Sequence, residues 1–481
     1  MSPPILSRRG LLWGGGVALA LAAGFGKWGR FRITSRPARV LLEMEGTSWP
    51  GFTNLQVQGF MLLVGDALEA GARMPVLQGA ELVVAPPAEV AILRVKASRT
   101  EINLEAELSW VQAERTESST RATEGPRAVF KALLAPFAPR GAWLAAFIPA
   151  DLDPFMDLLE ASGADLDRDI PRRVEAARRL AEHLPDCASA WLALARLEYR
   201  CLMLTSMADP PSQEICQGHF ERALAAFPNY PRAVNQYATF LTDMGNQRLA
   251  LTQLESALRY FPDSIQLLSA LAYAARTSGL LEVAARSTEK RLRLQGGLWA
   301  GRGVAENVFL YRGELDRFEQ SLGSHRPGRQ EAILDFYRGY CLLLKGDNPA
   351  ALAKFRQSAA AGGSRQLFEA LSEVFALGLE GRKEQALERL NIIRNQRLRL
   401  RVPDGEFTFK LAEAYAVLGR VEESLDVAER AFSQGFGCTP WYEKSPLLAP
   451  IRSLPRWPAL RQHLQERQHL LESRFSLSRF R

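Results

Sequence analysis

The chain has 481 residues, 47% of them apolar, and a formal net charge of +7. That length exceeds one hydrophobic core, so two or three folding units are expected, and the apolar fraction argues against a disordered chain. The charge is too small to demand nucleic acid, and the five cysteines hold no CxxC pair, so neither a zinc ribbon nor a thioredoxin-like site is signalled.

Residues 1–35 read as a signal or anchor segment. Arg8 and Arg9 precede an apolar run from Leu11 to Gly26, and Lys27 and Arg30 close it. The run is 16 residues long, just under the ~17–25 of a spanning helix. Ser7-Arg8-Arg9-Gly10-Leu11-Leu12 resembles the twin-arginine export signal, whose apolar stretch is characteristically mild. The resemblance implies an inner-membrane protein with one N-terminal anchor and its body in the periplasm. Lys27, Arg30, Arg32, Arg36 and Arg39 after the run outnumber the two arginines before it, which favours the cytoplasmic face instead. Both sides stay open.

Residues 36–145 read as a small α/β unit. Arg39–Met44 is an apolar strand, and a helix follows from about Leu55 to Ala70, with Gly71 as its stop. Short β-prone runs follow at 75–77 and 82–84. Ile102, Leu104, Ala106, Leu108 and Trp110 alternate with polar residues, which predicts a strand with one wet face. Ile92–Val95 is its hairpin partner, turning through Ala97-Ser98-Arg99. Gly125-Pro126 opens a helix that ends near Pro136. This order, with its "ILRV…RTEINLEAELSWV" hairpin, resembles the TolB amino-terminal-like domain found in winged-helix membrane regulators and beside repeat arrays in adenylate cyclases. The usual Pro-Phe after the first strand is replaced by Met44-Glu45-Gly46. Neither a winged helix nor a cyclase domain accompanies it, so neither activity carries over.

Residues 150–440 repeat themselves. "ALAAFPNY" and "ALRYFPDS" place Pro228 and Pro262 34 positions apart, and 231–264 lies on one tetratricopeptide (TPR) repeat, a helical hairpin of that length. Ala238, Ala250 and Ala257 take the small positions where its helices cross, and Gly245 takes the turn. The plan recurs with Ala272, Gly279 and Ala284, then Gly346 and Ala351, then Gly381 and Ala386, then Ala412, Gly419 and Ala431. An earlier first helix starts at Trp191, with nine extra residues at Ser206–Glu214, and 306–318 is a degenerate repeat. Stacked hairpins bury a face that one alone cannot, and they build a superhelix with a concave side. The expected fold is mainly α: a TPR-type α-solenoid after a small α/β domain and a membrane segment.

Residues 441–481 read as a C-terminal cap. Leu447, Leu448, Ile451, Leu454, Trp457 and Leu460 can cover the last repeat. The phrase "IRSLPRW" resembles the structural ending of repeat-bearing cyclase and kinase chains.

No catalytic pattern is found. Asp165, Asp167 and Asp169 have calcium-loop spacing, but Ile170 and Ala176 stand where that loop needs Gly and Glu. The five histidines never fall at metal spacing with a carboxylate motif, and no phosphate loop, GxSxG or kinase signature occurs. The arginines of 391–403 are read as a solvated helix side. Cys201 and Cys216 flank the nine-residue insertion, where a disulfide stays open. No enzyme activity and no cofactor or metal is expected.

In such repeats the first helix of each hairpin lines the groove. Read off the blocks, the groove positions are Asn235, Thr239, Tyr273, Arg276, Phe336, Tyr340, Phe375 and Phe409, with Glu413 beside them. An aromatic-lined groove suits an apolar or extended peptide. The expected function is a membrane-anchored scaffold holding a protein or peptide partner, without nucleic acid. Beside it stand a regulatory protein related to membrane sensors that lacks an output domain, and an enzyme accessory subunit or latent hydrolase.

Overall fold

The structure is a computed structural model that describes residues 39–45, 48–78, 90–100, 104–112, 115–122, 125–135, 141–163, 169–203, 211–295, 306–323, 331–361 and 366–480. The N-terminal apolar run, the expected strand at 82–84 and most of the aspartate-rich stretch lie outside these residues. Among the described residues no helix is long and apolar enough to cross a membrane.

The first described element, β1 (Arg39–Met44), pairs in parallel with β2 (Val76–Gln78) on one side and β3 (Val90–Arg99) on the other. β4 (Leu104–Gln112) and β5 (Arg115–Ala122) extend the sheet antiparallel, giving the order β2-β1-β3-β4-β5. The period of two holds: Leu93, Val95, Leu104, Ala106 and Leu108 are buried, while Arg94, Lys96 and Glu107 face water. The expected turn at 97–99 is not there. β3 runs on to Arg99, which pairs with Leu104.

Helix α1 (Asn54–Ala72) covers the buried face. It opens on a capping box, with Thr53 and Gln56 bonding each other's backbone N–H groups. Gly71 does not stop it. Arg73 does, at φ 51°, and Gly71 instead lets Trp143 approach, since a Cβ there would stand 2.3 Å from the indole. Helix α2 (Pro126–Leu134) follows, and Phe60, Phe130 and Phe155 meet between these elements. Helix α3 (Leu152–Ser162) packs on α1 so closely that a Cβ on Gly59 would lie 1.9 Å from the Leu159 carbonyl oxygen.

After α4 (Ile170–His183) the chain is a succession of helical hairpins: α5 (Ala188–Leu202) with α6 (Gln213–Ala226), α7 (Pro231–Asp243) with α8 (Gln247–Tyr260), and α9 (Ile265–Thr277) with α10 (Leu281–Leu294). Next come α11 (Asn307–Arg312) with α12 (Leu315–Gly323), α13 (Glu331–Leu344) with α14 (Asn348–Ala360), α15 (Gln366–Leu379) with α16 (Lys383–Arg397), and α17 (Gly405–Val417) with α18 (Val421–Ser433). Six of these hairpins share one turn. Gly245 stands at φ +83°, its N–H reaching Thr242 O at 3.0 Å and the Asn246 N–H reaching Leu241 O at 2.7 Å. That pairing satisfies the last carbonyls of a helix and needs a left-handed residue, so glycine recurs at 279, 313, 346, 381 and 419 with the same two bonds. The degenerate repeat keeps its turn at Gly313 and shortens its first helix to six residues. Ala238, Ala250, Ala257, Ala272, Ala284, Ala351, Ala386, Ala412 and Ala431 are all fully buried, as close helix crossing requires.

The C-terminal segment adds α19 (Thr439–Lys444), a 3₁₀ stretch at Pro446–Ser453 and α20 (Trp457–Arg474). Leu448, Ile451, Trp457 and Leu460 are buried over the last repeat. The segment also crosses to early repeats. Arg467 donates to Gln247 Oε1 at 2.9 Å, and Arg479 lies 3.3 Å from Glu255.

The two ends of the stack therefore meet. The Asp404 N–H donates to the Asp243 carbonyl at 3.1 Å, Gly437 N–H to Thr277 O at 2.8 Å, and Gln247 Nε2 to Gly435 O at 2.7 Å. The α/β unit is joined to the same body. Arg232 lies 3.0 Å from buried Asp66, Tyr230 donates to that carboxylate at 2.6 Å, and Leu41 and Leu77 pack with Ile265.

Candidate functional site

The first helices of the hairpins do converge on one centre, but the closed stack fills it. On α17, Glu406, Lys410 and Glu413 recur at i, i+4 and i+7, so one helix face carries three charges inward. Each has built-in partners. Arg276 from α9 grips Glu406 with Nε at 3.2 Å and Nη2 at 2.8 Å, and its side chain is 0% exposed. Tyr311 donates to the same carboxylate, and Asn307 Nδ2 lies 3.3 Å from it and 3.0 Å from the Tyr337 hydroxyl. Burial favours neutral Glu406, but Arg276, Tyr311 and Lys410 together hold its pKa below the ordinary value.

One turn further on, Glu413 accepts from Tyr340 at 2.6 Å, from Ser445 at 2.8 Å and from the Trp441 indole at 3.2 Å. Lys410 Nζ lies 3.2 Å from Glu413 and donates to the Tyr340 oxygen at 2.8 Å. Burial depresses the Lys410 pKa, against the pull of Glu413 and Glu406. Burial, then the charge of Glu413, pushes the Tyr340 phenol well above its ordinary value. Two cations, two carboxylates and three tyrosines thus neutralise and hydrogen-bond one another in a space almost shut off from water. Chemically this is a clamp between distant repeats.

The expected groove residues divide. Arg276, Phe336, Tyr340, Phe375 and Phe409 are buried, which corrects their reading as exposed groove positions. Phe336 sits 5.1 Å from Phe368, Phe375 stacks on Phe355 at 5.1 Å, and Phe409 lies 4.6 Å from Tyr442, all inside the inter-repeat core. Neighbouring hairpins bury Phe336 and Phe375, whereas Arg276 and Tyr340 are covered by α17 and Phe409 by the C-terminal segment. Asn235, Thr239 and Tyr273 keep partial exposure. Asn235 donates to the Gln266 carbonyl at 2.6 Å, Thr239 bonds back to Asn235, and the Tyr273 hydroxyl meets Asp243.

Asp243, Asn307, Tyr311, Asp404, Glu406, Lys410 and Trp441 were not marked in the sequence. The available signal was "GEFTFKLAEAY", where charges at i, i+4 and i+7 share a face of an otherwise apolar helix.

Among the described residues no group of three His, Cys, Asp or Glu is placed to hold a metal ion. Cys201 and Cys216 are free, buried thiols. Burial raises Cys201 to about 11, and Cys216 leans on the Ala195 carbonyl at 3.5 Å.

No known family's sequence profile matches the chain. No curated protein matches it either. Solved structures similar to it include the Cut9 chain of the APC/C hetero-tetramer Cut9–Hcn1, with TM-score 0.42 and 11% identity over 71% of this chain and 62% of that one. Yeast Tom70 is similar with TM-score 0.37 and 12% identity over 64% of this chain and 67% of that one. The TPR domain of P58(IPK) is similar with TM-score 0.19 and 12% identity over 67% and 99%. The chain thus spans less than two thirds of the Cut9 chain's length. The repeat architecture rests on the recurring hairpin and its glycine turn, not on these scores.

Proposed function

We propose that the chain is a non-catalytic TPR-type scaffold for a protein partner, tethered to the inner membrane by its N-terminal segment with its body in the periplasm. The observation that carries the scaffold reading is the succession of hairpins from α5 to α18 among the described residues, an architecture whose use is contact surface. The tether rests on the charged-apolar-charged run of residues 8–30. With the concave centre filled, the partner meets the half-exposed rim at Asn235, Thr239 and Tyr273 or the outer helices, where Ile392 and Leu398 stand exposed.

The test is detergent purification of the tagged full chain carrying a photo-crosslinker at Thr239 or at Leu398. A stoichiometric protein, cross-linked from one of the two positions and competed by unlabelled chain, is expected. A chain that purifies alone overturns the scaffold. Recovery of intact full-length chain in the soluble fraction overturns the tether, and export unaffected by Arg8→Lys with Arg9→Lys removes the twin-arginine part.

A second reading, a regulator related to membrane sensors, is favoured by one contact. The TolB-like α/β unit meets the first repeats through a buried junction of Asp66, Tyr230 and Arg232, the place where a signal would have to cross in such a regulator.

A further inference from the structure

The seam that closes the stack holds more negative than positive charge. Asp243 ends α7, where the helix macrodipole already disfavours an anion. Its carboxylate receives the hydroxyls of Tyr199 from α5 and Tyr273 from α9, and among the described residues no cation is hydrogen-bonded to it, Arg397 acting on it only through its charge. Asp404, half-buried at φ 44°, caps α17 by accepting from Phe407 N at 3.2 Å, and its own N–H bonds the Asp243 carbonyl. Glu406 follows two residues on. Against these three carboxyl groups stand two guanidiniums, both already committed. Arg276 is bound to Glu406, and Arg397 reaches the Pro403 carbonyl at 2.6 Å and Asp404 Oδ2 at 4.0 Å. The groups facing Asp243 are thus Tyr199, Tyr273, Arg276, Arg397, Asp404 and Glu406.

We infer that this seam is a proton-operated closure, shut while Asp243 keeps its proton and loosened when Asp243 and Asp404 are both ionised. A protonated Asp243 keeps its place among the two tyrosine hydroxyls, since a phenol oxygen accepts as well as donates. An ionised one sits beside Asp404 at a helix end with no cation of its own.

The direction agrees with the environment. Burial, and then the charge of Asp404, raises the Asp243 pKa and outweighs the hydrogen bonds from Tyr199 and Tyr273, which act the other way; burial also raises that of Asp404 despite Arg397. Because the closed-state values lie above the ordinary ones, the closure is complete at low pH and is lost as pH rises through the raised values. Loosening the seam uncovers Arg276, Tyr311 and Glu406, the wall of the concave side. That what enters there is a protein partner rests on the scaffold reading; the closure does not.

The experiment is hydrogen exchange on the partner-free full chain in detergent at pH 5.5 and 8.5, corrected for the intrinsic pH dependence of exchange. The seam amides are those of Asp404 and Gly437, which bond Asp243 O and Thr277 O. Their protection is expected to fall at least about tenfold at pH 8.5, while hairpin amides such as Ala351 and Ala386 keep theirs. Asp404→Asn retains the helix cap and is expected to abolish most of the difference, as is Asp243→Asn. Equal seam protection at both pH values in the wild-type chain overturns the closure, whatever the variants do. So does an undiminished pH effect in a folded Asp243→Asn chain. No partner is needed, so these outcomes leave the scaffold reading untouched.

Discussion

Arg276 and Glu406 stand 130 positions apart and meet in a two-pronged ion pair with the guanidinium wholly out of water. The pair exists only because the stack closes. Removing one partner strands a buried charge, whereas removing both does not. Arg276→Leu is therefore expected to cost about 3–5 kcal/mol, and Arg276→Leu with Glu406→Leu markedly less. Urea unfolding of the three chains checks this, and equal losses in the single and double variants would refute the coupling.

Gly346 and Gly245 have the same backbone, with φ +83° at each. A Cβ on Gly346 meets open space, but one on Gly245 stands 3.1 Å from the Gln434 carbonyl oxygen across the seam. Gly346→Ala is expected to cost ~1–2 kcal/mol from the left-handed backbone alone. Gly245→Ala carries that cost plus the seam contact, so it melts lower. Matching melting temperatures would mean that the seam yields freely.

Glu69 of α1 is buried where the α/β unit meets α9, and Gln266 donates to it. Burial, despite the Ser264 hydrogen bond, raises its pKa to about 7. A carboxyl raised in the folded state contributes fully below its unfolded pKa of 4.5, and stability falls as pH climbs towards 7. Glu69→Gln should remove that slope, leaving the variant more stable than wild type above pH 7 by as much as about 3 kcal/mol. Denaturant midpoints at pH 5 and pH 8 decide it. A wild-type midpoint that rises between them contradicts the sign.

The Tyr340 hydroxyl bonds both Glu413 and Lys410 inside the closed centre. Tyr340→Phe keeps the ring and strips those bonds, so a loss of about 1–3 kcal/mol is expected. Tyr340→Ala adds a cavity and costs more, and the joint change Tyr273→Ala with Tyr340→Ala unsettles the fold rather than sparing it. A double variant of unchanged melting temperature would restore Tyr340 to an open groove.

The repeat was legible because its causes are local. A turn that needs a left-handed residue writes glycine at 245, 279, 346, 381 and 419, and a close crossing writes alanine at 238, 272 and 412. The inward direction of Arg276, Tyr340 and Phe409 was legible for the same reason, since helical spacing fixes which face they share. Whether that inner side is open was not. Closure depends on small rotations summed over many hairpins, and no short stretch records the sum. The bonds that reveal it join Asp243 to Asp404 and Thr277 to Gly437, residues that look like ordinary helix ends. Gly71 misled because a glycine near a helix end reads as a stop, while the contact that requires it, Trp143, lies far along the chain.

An open stack is indifferent to its own length, because each hairpin touches only its neighbours and one more or one fewer changes a sum. The bond from Gln247 to Gly435, across 188 positions, removes that freedom. Inserting or deleting one hairpin between them would swing these partners past each other, so the count of repeats is fixed as the count of staves is fixed in a cask. Hairpins here cannot be gained or lost one at a time, and a single melted unit slackens all the others.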